Sequence, residues 1–417
     1  MKQTLMTEQP THHDPPRDFS GLPVRLAILQ RVCTGYRLGL FQKLSAIPGL
    51  RLRLFLGEDI PNSKVRSAAD LSGIDCEKLP TRFIRLGRCV LPWHKCLIGA
   101  LNDFEPNVIL CEGESNFLSY VQAIWYRRRH RNVALIHWSL GGLPGVPVRP
   151  RSVASRFKYS VQKNFDAFLV YSSFGRECLV ELGHPAVKIV VATNVADTSS
   201  HFEEMCQMAE SSSEARSKLG IPDRFTVFYV GAMNVYKRPS LLLDLAIQLD
   251  SDNCNFVLLG DGPLLEGLRS RIKSMNLHNV FLPGHVRDEL PLYYRAASVM
   301  VLPGRGGMVI SEAMAWSLPV IVHQADGTEY DLVRNGMTGL RLGKGDAEDF
   351  RKAIEFLRDH PEKTKKMGRA ASNLLMKQFS IKNMVNQMKK VIDFAYTKKH
   401  LPEHCRSIHT NEQENRE

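Results

Sequence analysis

The sequence predicts an α/β protein made of two doubly wound, Rossmann-like domains. Two series of short apolar segments, six in the first half of the chain and five in the second, alternate with longer segments that are apolar at helical spacing. Continuous apolar runs of this kind suit strands buried on both faces of a parallel sheet. Alternating strands and helices indicate βαβ units, and 417 residues suffice for two domains of about 100–200 residues each.

The predicted strands divide the chain into its parts. Those of the first domain, 22–196, span residues 25–30, 50–57, 107–113, 132–138, 167–172 and 188–194. Those of the second domain, 223–375, span residues 227–232, 256–260, 280–284, 298–304 and 318–323. The polar segment 197–222 predicts a linker with one short helix. Residues 376–400 carry one apolar helical face, and the polar ends 1–21 and 401–417 are expected to be disordered.

The composition is that of a globular protein, with 44% hydrophobic and 24% charged residues. No apolar run reaches the ~18 residues of a membrane-spanning helix, and the first residues lack the apolar core of a secretory signal. The nine cysteines form no CxxC pair, which favours reduced thiols over a disulfide framework or a zinc module. We therefore expect a cytoplasmic protein that holds no metal and no other cofactor.

The net charge of +12 is concentrated in the first half of the chain. Residues 1–200 carry 26 basic and 16 acidic side chains, a balance of +10, and the remainder carries +2. Such an excess attracts an anionic partner, either a phospholipid surface, a phosphorylated acceptor or nucleic acid. Nucleic acid is the weakest of these candidates because no nucleic-acid-binding motif accompanies the charge.

A glycine-rich turn lies between a predicted strand and a predicted helix at VLPGRGGMVISEAMA, residues 301–315. Glycines at a helix N-terminus let backbone N–H groups approach a phosphate closely, and Arg305 adds a forked cationic donor. Glu312, in the first turns of the helix, could reach a ribose hydroxyl. The plainer interpretation is a tight turn followed by an ordinary surface helix.

Two further strand ends carry candidate binding residues. Lys237 and Arg238 follow the strand at 227–232 in GAMNVYKR, where a solvated basic pair is the plainer interpretation. The segment FVLLGDGP places Gly260 where a flat ligand could approach the backbone.

Read in order, VGAMNVYKRPSLLLDL, VLLGDGPLLEGL, VFLPGHV, LPGRGGMVISEAMAWSLPVIV and ADGTEYDLVRNGMTGL resemble the donor domain of glycosyltransferase family 4. The similarity covers residues 223–375 well and extends more loosely into the first half through LIHWSLGGLP and VYSSFGRECLVELG. The resemblance implies the GT-B fold, in which two Rossmann-like domains face a central cleft. It also implies a transferase that uses a nucleotide-diphosphate sugar and retains the anomeric configuration.

The resemblance assigns roles residue by residue. Lys237 is similar to the lysine that binds the diphosphate, and Glu312 to the second glutamate of the Glu-x7-Glu motif. His137 resembles the N-domain histidine that reaches the donor sugar, where a structural histidine is the plainer interpretation. The remaining implied donor contacts are Gly35 and the loop residues Gly306, Gly307, Met308 and Val309 at the diphosphate, and Gly260 and Val286 at the nucleobase. The helix at 376–400 resembles the last helix of the fold, which returns to the N-terminal domain.

Two positions depart from the family pattern. Gly304 stands where the first glutamate is expected, and Ala232 stands where an arginine is frequent. Arg238 or Arg305 could supply the missing cation. The departures keep a second hypothesis open, a catalytically weak or inactive transferase-like subunit that binds or scaffolds. A Rossmann dehydrogenase is disfavoured, since no GxGxxG opens the first helix.

The first domain also combines basic and aromatic residues. Trp125, Tyr126 and Tyr159 interleave with the basic runs at 127–131 and 149–158, and Trp93 follows the apolar residues 90–92. Such surfaces suit the headgroup region of an anionic membrane, and a solvated basic face is the plainer interpretation. With the family resemblance, they predict peripheral contact with the inner face of the membrane and a lipid-linked or glycan acceptor.

Overall fold

The computed structural model describes residues 19, 23–59, 66–87, 89–113, 118–149, 152–249 and 253–400. Apart from Phe19, the ends expected to be disordered lie outside the described residues. The described chain forms two α/β domains, each with a parallel sheet, as the sequence predicts.

The N-terminal domain contains a seven-stranded parallel sheet in the order β3-β2-β1-β6-β7-β8-β9, and a separate antiparallel hairpin, β4–β5. Its strands are β1 (Val24–Gln30), β2 (Leu50–Leu56), β3 (Cys76–Lys78), β4 (Thr81–Leu86), β5 (Cys89–His94), β6 (Val108–Glu112), β7 (Ala134–Ser139), β8 (Ala167–Val170) and β9 (Ile189–Val191). Its helices are α1 (Gly35–Ser45), α2 (Leu97–Phe104), α3 (Tyr120–Arg129), α4 (Val153–Gln162) and α5 (Ser173–Glu181). One core lies under α1 and the other under α2, α3 and α5, on opposite faces of the sheet.

The C-terminal domain contains a six-stranded parallel sheet in the order β12-β11-β10-β13-β14-β15. Its strands are β10 (Phe225–Val230), β11 (Cys254–Leu259), β12 (Val280–Gly284), β13 (Val299–Leu302), β14 (Val320–Val322) and β15 (Gly339–Arg341). The helices of the second half are α6 (Ser199–Gln207), α7 (Ser212–Lys218), α8 (Ser240–Gln248), α9 (Leu265–Ser274), α10 (Leu290–Ala296), α11 (Met308–Ala315), α12 (Glu329–Leu332), α13 (Ala347–Asp359), α14 (Pro361–Gln378) and α15 (Ile381–His400). Helices α8 and α13 cover one face of this sheet, and α10, α11 and α14 cover the other.

The segment expected to be a linker instead forms α6 and α7. Phe202, Met205 and Met208 pack against the core of the C-terminal domain, and Ala215 is fully buried. A few well-spaced apolar side chains therefore bind this polar segment to the second domain, because burial of one stripe stabilises a helix whose other faces are solvated.

The last helix crosses back to the first domain. Met388, Val391, Ile392 and Ala395 are completely buried in the core that α1 and β7 share. Helix α15 therefore ties the C-terminal end of the chain to the N-terminal domain, where the sequence places it.

Candidate functional site

Three adjacent strands of the second sheet end in glycine. Gly231 follows β10, Gly260 follows β11, and Gly284 ends β12. A Cβ at Gly260, whose φ is +139°, would overlap the Gly231 carbonyl oxygen, and the Gly260 N–H donates to the Gly284 carbonyl over 2.8 Å. Because these glycines have no side chains, backbone atoms line this part of the carboxyl edge of the sheet, where ligands of open α/β sheets bind. Val286, which is half-buried, lies two residues after Gly284.

The loop between β13 and α11 meets the loop after β10. The Arg305 N–H donates to the Tyr236 carbonyl over 2.9 Å. A Cβ at Gly306, whose φ is +133°, would overlap the Lys237 ammonium nitrogen. The structure thus brings Lys237 to the glycine-rich turn, although the two lie far apart in the chain.

This turn opens directly onto the N-terminus of α11. Gly307 is the N-cap residue, and the Ile310 N–H donates to its carbonyl over 2.9 Å. The amides of Met308 and Val309 are therefore among the first N–H groups of a helix, which have no partner within the helix. A cation beside the N-terminus of a helix is an arrangement that attracts an anion.

Asp326 places an acidic group beside Lys237 and the glycine-rich turn. It was not among the site residues predicted from the sequence. A Cβ on Gly307 would overlap both oxygens of the Asp326 carboxylate. Burial lowers the pKa of Lys237, and the charge of Asp326 opposes that effect. Asp326 accepts hydrogen bonds from the N–H and hydroxyl of Thr328, which fix its carboxylate. Its position shortly after β14 was the available signal, because the carboxyl ends of parallel strands meet at one edge.

The two candidate arginines have different environments. The Arg238 guanidinium donates to the carbonyls of Pro303 and Gly345, over 3.2 and 3.0 Å, and so joins two loops. Arg305 is exposed, and its guanidinium lies 5.4 Å from the centroid of the Tyr236 ring. Arg305 is therefore the cation of the pair that faces solvent without a backbone acceptor among the described residues.

Glu312 is held by the aromatic residues behind α11. The Tyr294 hydroxyl donates to its carboxylate over 2.9 Å, and the Tyr294 ring stacks on Trp316 with centroids 5.7 Å apart. Burial raises the pKa of Glu312, and both the Tyr294 hydrogen bond and nearby His201 oppose the rise. The hydrogen bond and the packed rings fix the direction of the carboxylate.

His137 lies near the carboxyl end of β7 and is 2% exposed. Its ring packs against Phe165, with centroids 5.0 Å apart, and beside Gly113, where any Cβ would overlap the ring. Burial, together with the charges of Lys158 and His184, lowers the pKa of His137 to about 3. His137 is therefore a neutral imidazole at physiological pH, and its Nδ1 lies 3.2 Å from the Ser139 hydroxyl.

Gly35 begins α1 at the carboxyl edge of the first sheet. A Cβ at this position would meet nothing within 4 Å, and the first turn of α1 contains no acidic residue. The loop is therefore open to a ligand, although the structure places no donor-site residue of the second domain in contact with it within the ranges described.

The two domains meet through α5 and α12. The Ser173 N–H and the Thr193 hydroxyl donate to the Asp331 carboxylate over 3.0 and 3.3 Å. The rings of Phe174 and Tyr330 stack with centroids 4.8 Å apart. Burial raises the pKa of Asp331 while these hydrogen bonds oppose the rise. An N-terminal helix end and a carboxylate from the other domain thus form a defined contact between the two domains.

Within the part of the chain that the structure describes, no cluster of three or more His, Cys, Asp or Glu side chains is placed to hold a metal ion. Over the same residues, no helix combines the length and apolarity needed to cross a bilayer.

The C-terminal domain is similar to known glycosyl transferases. Residues 211–374 match the family model for glycosyl transferases group 1. The chain is 29% identical over 183 residues to alpha-D-kanosaminyltransferase of Streptomyces kanamyceticus, covering 42% of this chain and 47% of the relative. It is 34% identical over 167 residues to D-rhamnosyltransferase WbpZ of Pseudomonas aeruginosa, covering 37% and 41%. The chain thus spans less than half the length of these two curated relatives.

The similarity of fold extends over both domains. The structure of Anabaena HepE in complex with UDP superposes with a TM-score of 0.70 at 18% identity, covering 89% of this chain and all of that one. Sucrose-phosphate synthase from Thermosynechococcus elongatus superposes with a TM-score of 0.63 at 20% identity, covering 88% and 97%. The chain therefore has the GT-B fold that the sequence resemblance implies.

Proposed function

We propose that this protein, whose C-terminal domain matches glycosyl transferases group 1, is a hexosyl-type glycosyltransferase that retains the anomeric configuration. Its donor is a nucleotide-diphosphate sugar, and its acceptor is a glycan or lipid-linked saccharide of surface polysaccharide or glycoconjugate biosynthesis. One observation carries the proposal: the Lys237 ammonium lies against Gly306, at the N-terminus of α11. Cation and helix end together are suited to a diphosphate.

The same geometry suits the departure of a diphosphate. Cleavage at the anomeric carbon builds negative charge on the leaving group, and preorganised donors placed there stabilise that charge. Lys237, Arg305 and the first amides of α11 supply such donors, while Glu312 orients the ribose. His137, neutral and buried, contributes a hydrogen bond rather than a positive charge. The resemblance to family 4 implies that the leaving diphosphate accepts the proton of the acceptor and that no metal is required.

The donor site is tested by thermal unfolding in the presence of UDP, GDP and their sugar derivatives. A nucleotide at about 100 times its Kd stabilises the folded protein by about 2.7 kcal/mol. Lys237→Ala should abolish most of this stabilisation, whereas Lys273→Ala, at an exposed lysine of α9, should preserve it. Equal stabilisation of both variants by the same nucleotide would remove Lys237 from the site.

Gly304 and Ala232 support the second candidate, a transferase-like binding or scaffolding subunit. Both lack the side chains that the family pattern places there. Slow hydrolysis of a bound nucleotide sugar by the purified protein distinguishes the two candidates, because a subunit that only binds releases its ligand unchanged.

We also propose that the protein is cytoplasmic and that its N-terminal domain contacts an anionic membrane at the inner face. Trp125 is 44% exposed, with its ring 5.8 Å from that of Trp93. On α4, Val153 and Phe157 are 85% and 56% exposed and share a helix face with Arg156. Apolar side chains beside cations favour an anionic headgroup layer, where each cation contributes ~1 kcal/mol.

Two tyrosines expected at this membrane-contacting surface instead form hydrogen bonds within the N-terminal domain. Tyr126 is 2% exposed and donates to the Leu101 carbonyl over 3.2 Å, while the Tyr159 hydroxyl donates to the Leu182 carbonyl over 2.6 Å. Arg151, from the basic run, lies outside the described residues. The exposed face of α4 replaces the two tyrosines in the proposal.

Co-sedimentation with vesicles tests the membrane contact. Binding should require anionic lipid and weaken steeply as salt rises, since surface charges are screened. Phe157→Ser should weaken binding, and Phe356→Ser, an exposed phenylalanine of the second domain, should not. Full recovery in the supernatant with anionic vesicles would favour a soluble acceptor.

A further inference from the structure

A buried arginine lies at the carboxyl edge of the first sheet. Arg37, in the first turn of α1, is 9% exposed, and its guanidinium lies 4.5 Å from the centroid of the Trp138 ring. It donates to the Gln30 side-chain carbonyl over 2.8 Å and to the Tyr171 hydroxyl over 2.6 Å. No carboxylate lies within 4.0 Å of it among the residues that the structure describes. The charge of Glu112 acts on Arg37 from farther away, and that carboxylate is itself paired with Arg31 over 2.9 Å.

The atoms around this guanidinium have a common chemistry. Four buried polar atoms have no hydrogen-bond partner: Arg37 Nε, Gln30 Nε2, Trp138 Nε1 and Thr34 Oγ1. The first three can only donate, and the threonine hydroxyl can donate as well. Buried donors without acceptors destabilise the folded state. These donors favour a ligand that accepts hydrogen bonds, and negative charge on that ligand complements the Arg37 guanidinium.

These four polar atoms are buried at the carboxyl edge of the first sheet. Gln30 is the last residue of β1, Trp138 is the penultimate residue of β7, and Tyr171 directly follows β8. Gly35, beside them, is exposed with open space where its Cβ would be, and α1 begins there without an acidic residue. We call Gln30, Thr34, Arg37, Trp138 and Tyr171 the Arg37 cluster.

We propose that the Arg37 cluster binds an oxyanion, a phosphate or carboxylate group, of the acceptor. The proposal rests on the proposed transferase function, because it assigns the anion to the acceptor rather than to the donor. The donor diphosphate has its own cation and helix end in the second domain, at Lys237 and α11. Every member of the Arg37 cluster belongs to the first domain, which receives the acceptor in the proposed reaction. The acceptor is therefore an acidic saccharide or a saccharide linked to a phosphate.

Inorganic phosphate is the probe for this site. Phosphate should raise the Tm of the wild-type protein above that in chloride at equal ionic strength, and should do so with UDP at saturation. Gln30→Glu is the sharpest variant: it keeps the shape of the side chain, gives Arg37 an internal carboxylate and preserves packing. Its apparent affinity for phosphate should fall roughly tenfold or more, as should that of Arg37→Met, because a charge-assisted partner is lost. Arg82→Met, at an exposed arginine of β4, should respond like the wild type.

The outcomes separate the two proposals. Loss of the phosphate response in Gln30→Glu, with UDP binding kept, supports the Arg37 cluster as an acceptor site. An unchanged phosphate response in that variant overturns it, and so does a phosphate response that saturating UDP abolishes, which would place the phosphate at the Lys237 donor site. Failure of every nucleotide to bind would instead overturn the proposed function, whatever phosphate does.

Discussion

Gly304→Glu restores the glutamate that the family pattern expects, yet the structure predicts a loss. A Cβ at this position would overlap the Tyr236 carbonyl oxygen and lie 2.8 Å from the carbonyl carbon of Lys237. Both neighbours are backbone atoms, so no side-chain rotation relieves the contact. The loop that carries Lys237 must move, and the ammonium moves with it.

The magnitude follows from the cost of overpacking. Adding atoms to a well-packed position costs typically 1–3 kcal/mol, and a contact with rigid backbone costs at least the middle of that range. About 2 kcal/mol corresponds to roughly 4–8 °C in Tm for a domain of this size. Nucleotide affinity should fall as well, because the diphosphate loses a positioned cation.

Thermal unfolding with and without nucleotide measures both effects. Gly343→Glu is the matched control, since Gly343 is an exposed glycine where a Cβ would meet nothing within 4 Å. It should leave Tm and nucleotide affinity unchanged. A Gly304→Glu protein that is as stable as Gly343→Glu and turns over faster than the wild type would refute the steric reasoning and support a decayed enzyme.

Further variants test the donor site and the buried histidine. Lys237→Ala and Glu312→Ala should each lower turnover by ~10²–10³, the scale for loss of one preorganised partner. Glu312→Gln, which can still accept a hydrogen bond from Tyr294, should lower turnover less. Wild-type rates in both alanine variants would contradict the assignment of the site. His137, with a pKa lowered to about 3, binds no proton in the folded protein between that pH and about 6.5, whereas the unfolded chain does. Stability should therefore fall as pH drops through this window, and His137→Gln should reduce the slope by up to ~1.4 kcal/mol per pH unit in denaturant unfolding; an unchanged slope would mean that the imidazole is accessible to protons.

Much of the architecture follows from local pattern. The eleven predicted strand segments all occur in the two sheets. Continuous runs rich in Val, Ile and Leu suit strands of a parallel sheet because such strands are buried on both faces. The local pattern did not predict the hairpin β4–β5, the short edge strand β3 or strand β15. Each is short or interrupted by polar residues, so its pairing depends on a neighbour rather than on its own composition.

The polar segment at 197–222 shows a different limit. Its composition predicts a linker, yet α6 and α7 form because Phe202, Met205 and Met208 meet an apolar surface that the second domain already presents. The fold of such a segment depends on a partner that is distant in the chain, which local periodicity does not report.

At the site, the residue types and the order of the loops can be read from the amino-acid sequence. Glycine-rich turns after strands, Lys237 in the loop after β10 and Glu312 in α11 follow from spacing and from family resemblance. Which of these groups meet depends on how the chain folds. Parallel strands bring their carboxyl ends to one edge, and so Lys237 reaches Gly306, Asp326 approaches Gly307, and Arg37 contacts side chains from three strand ends. Such contacts join residues far apart in the chain. The strength of the electrostatic interactions among them depends on burial, which cannot be read from the sequence.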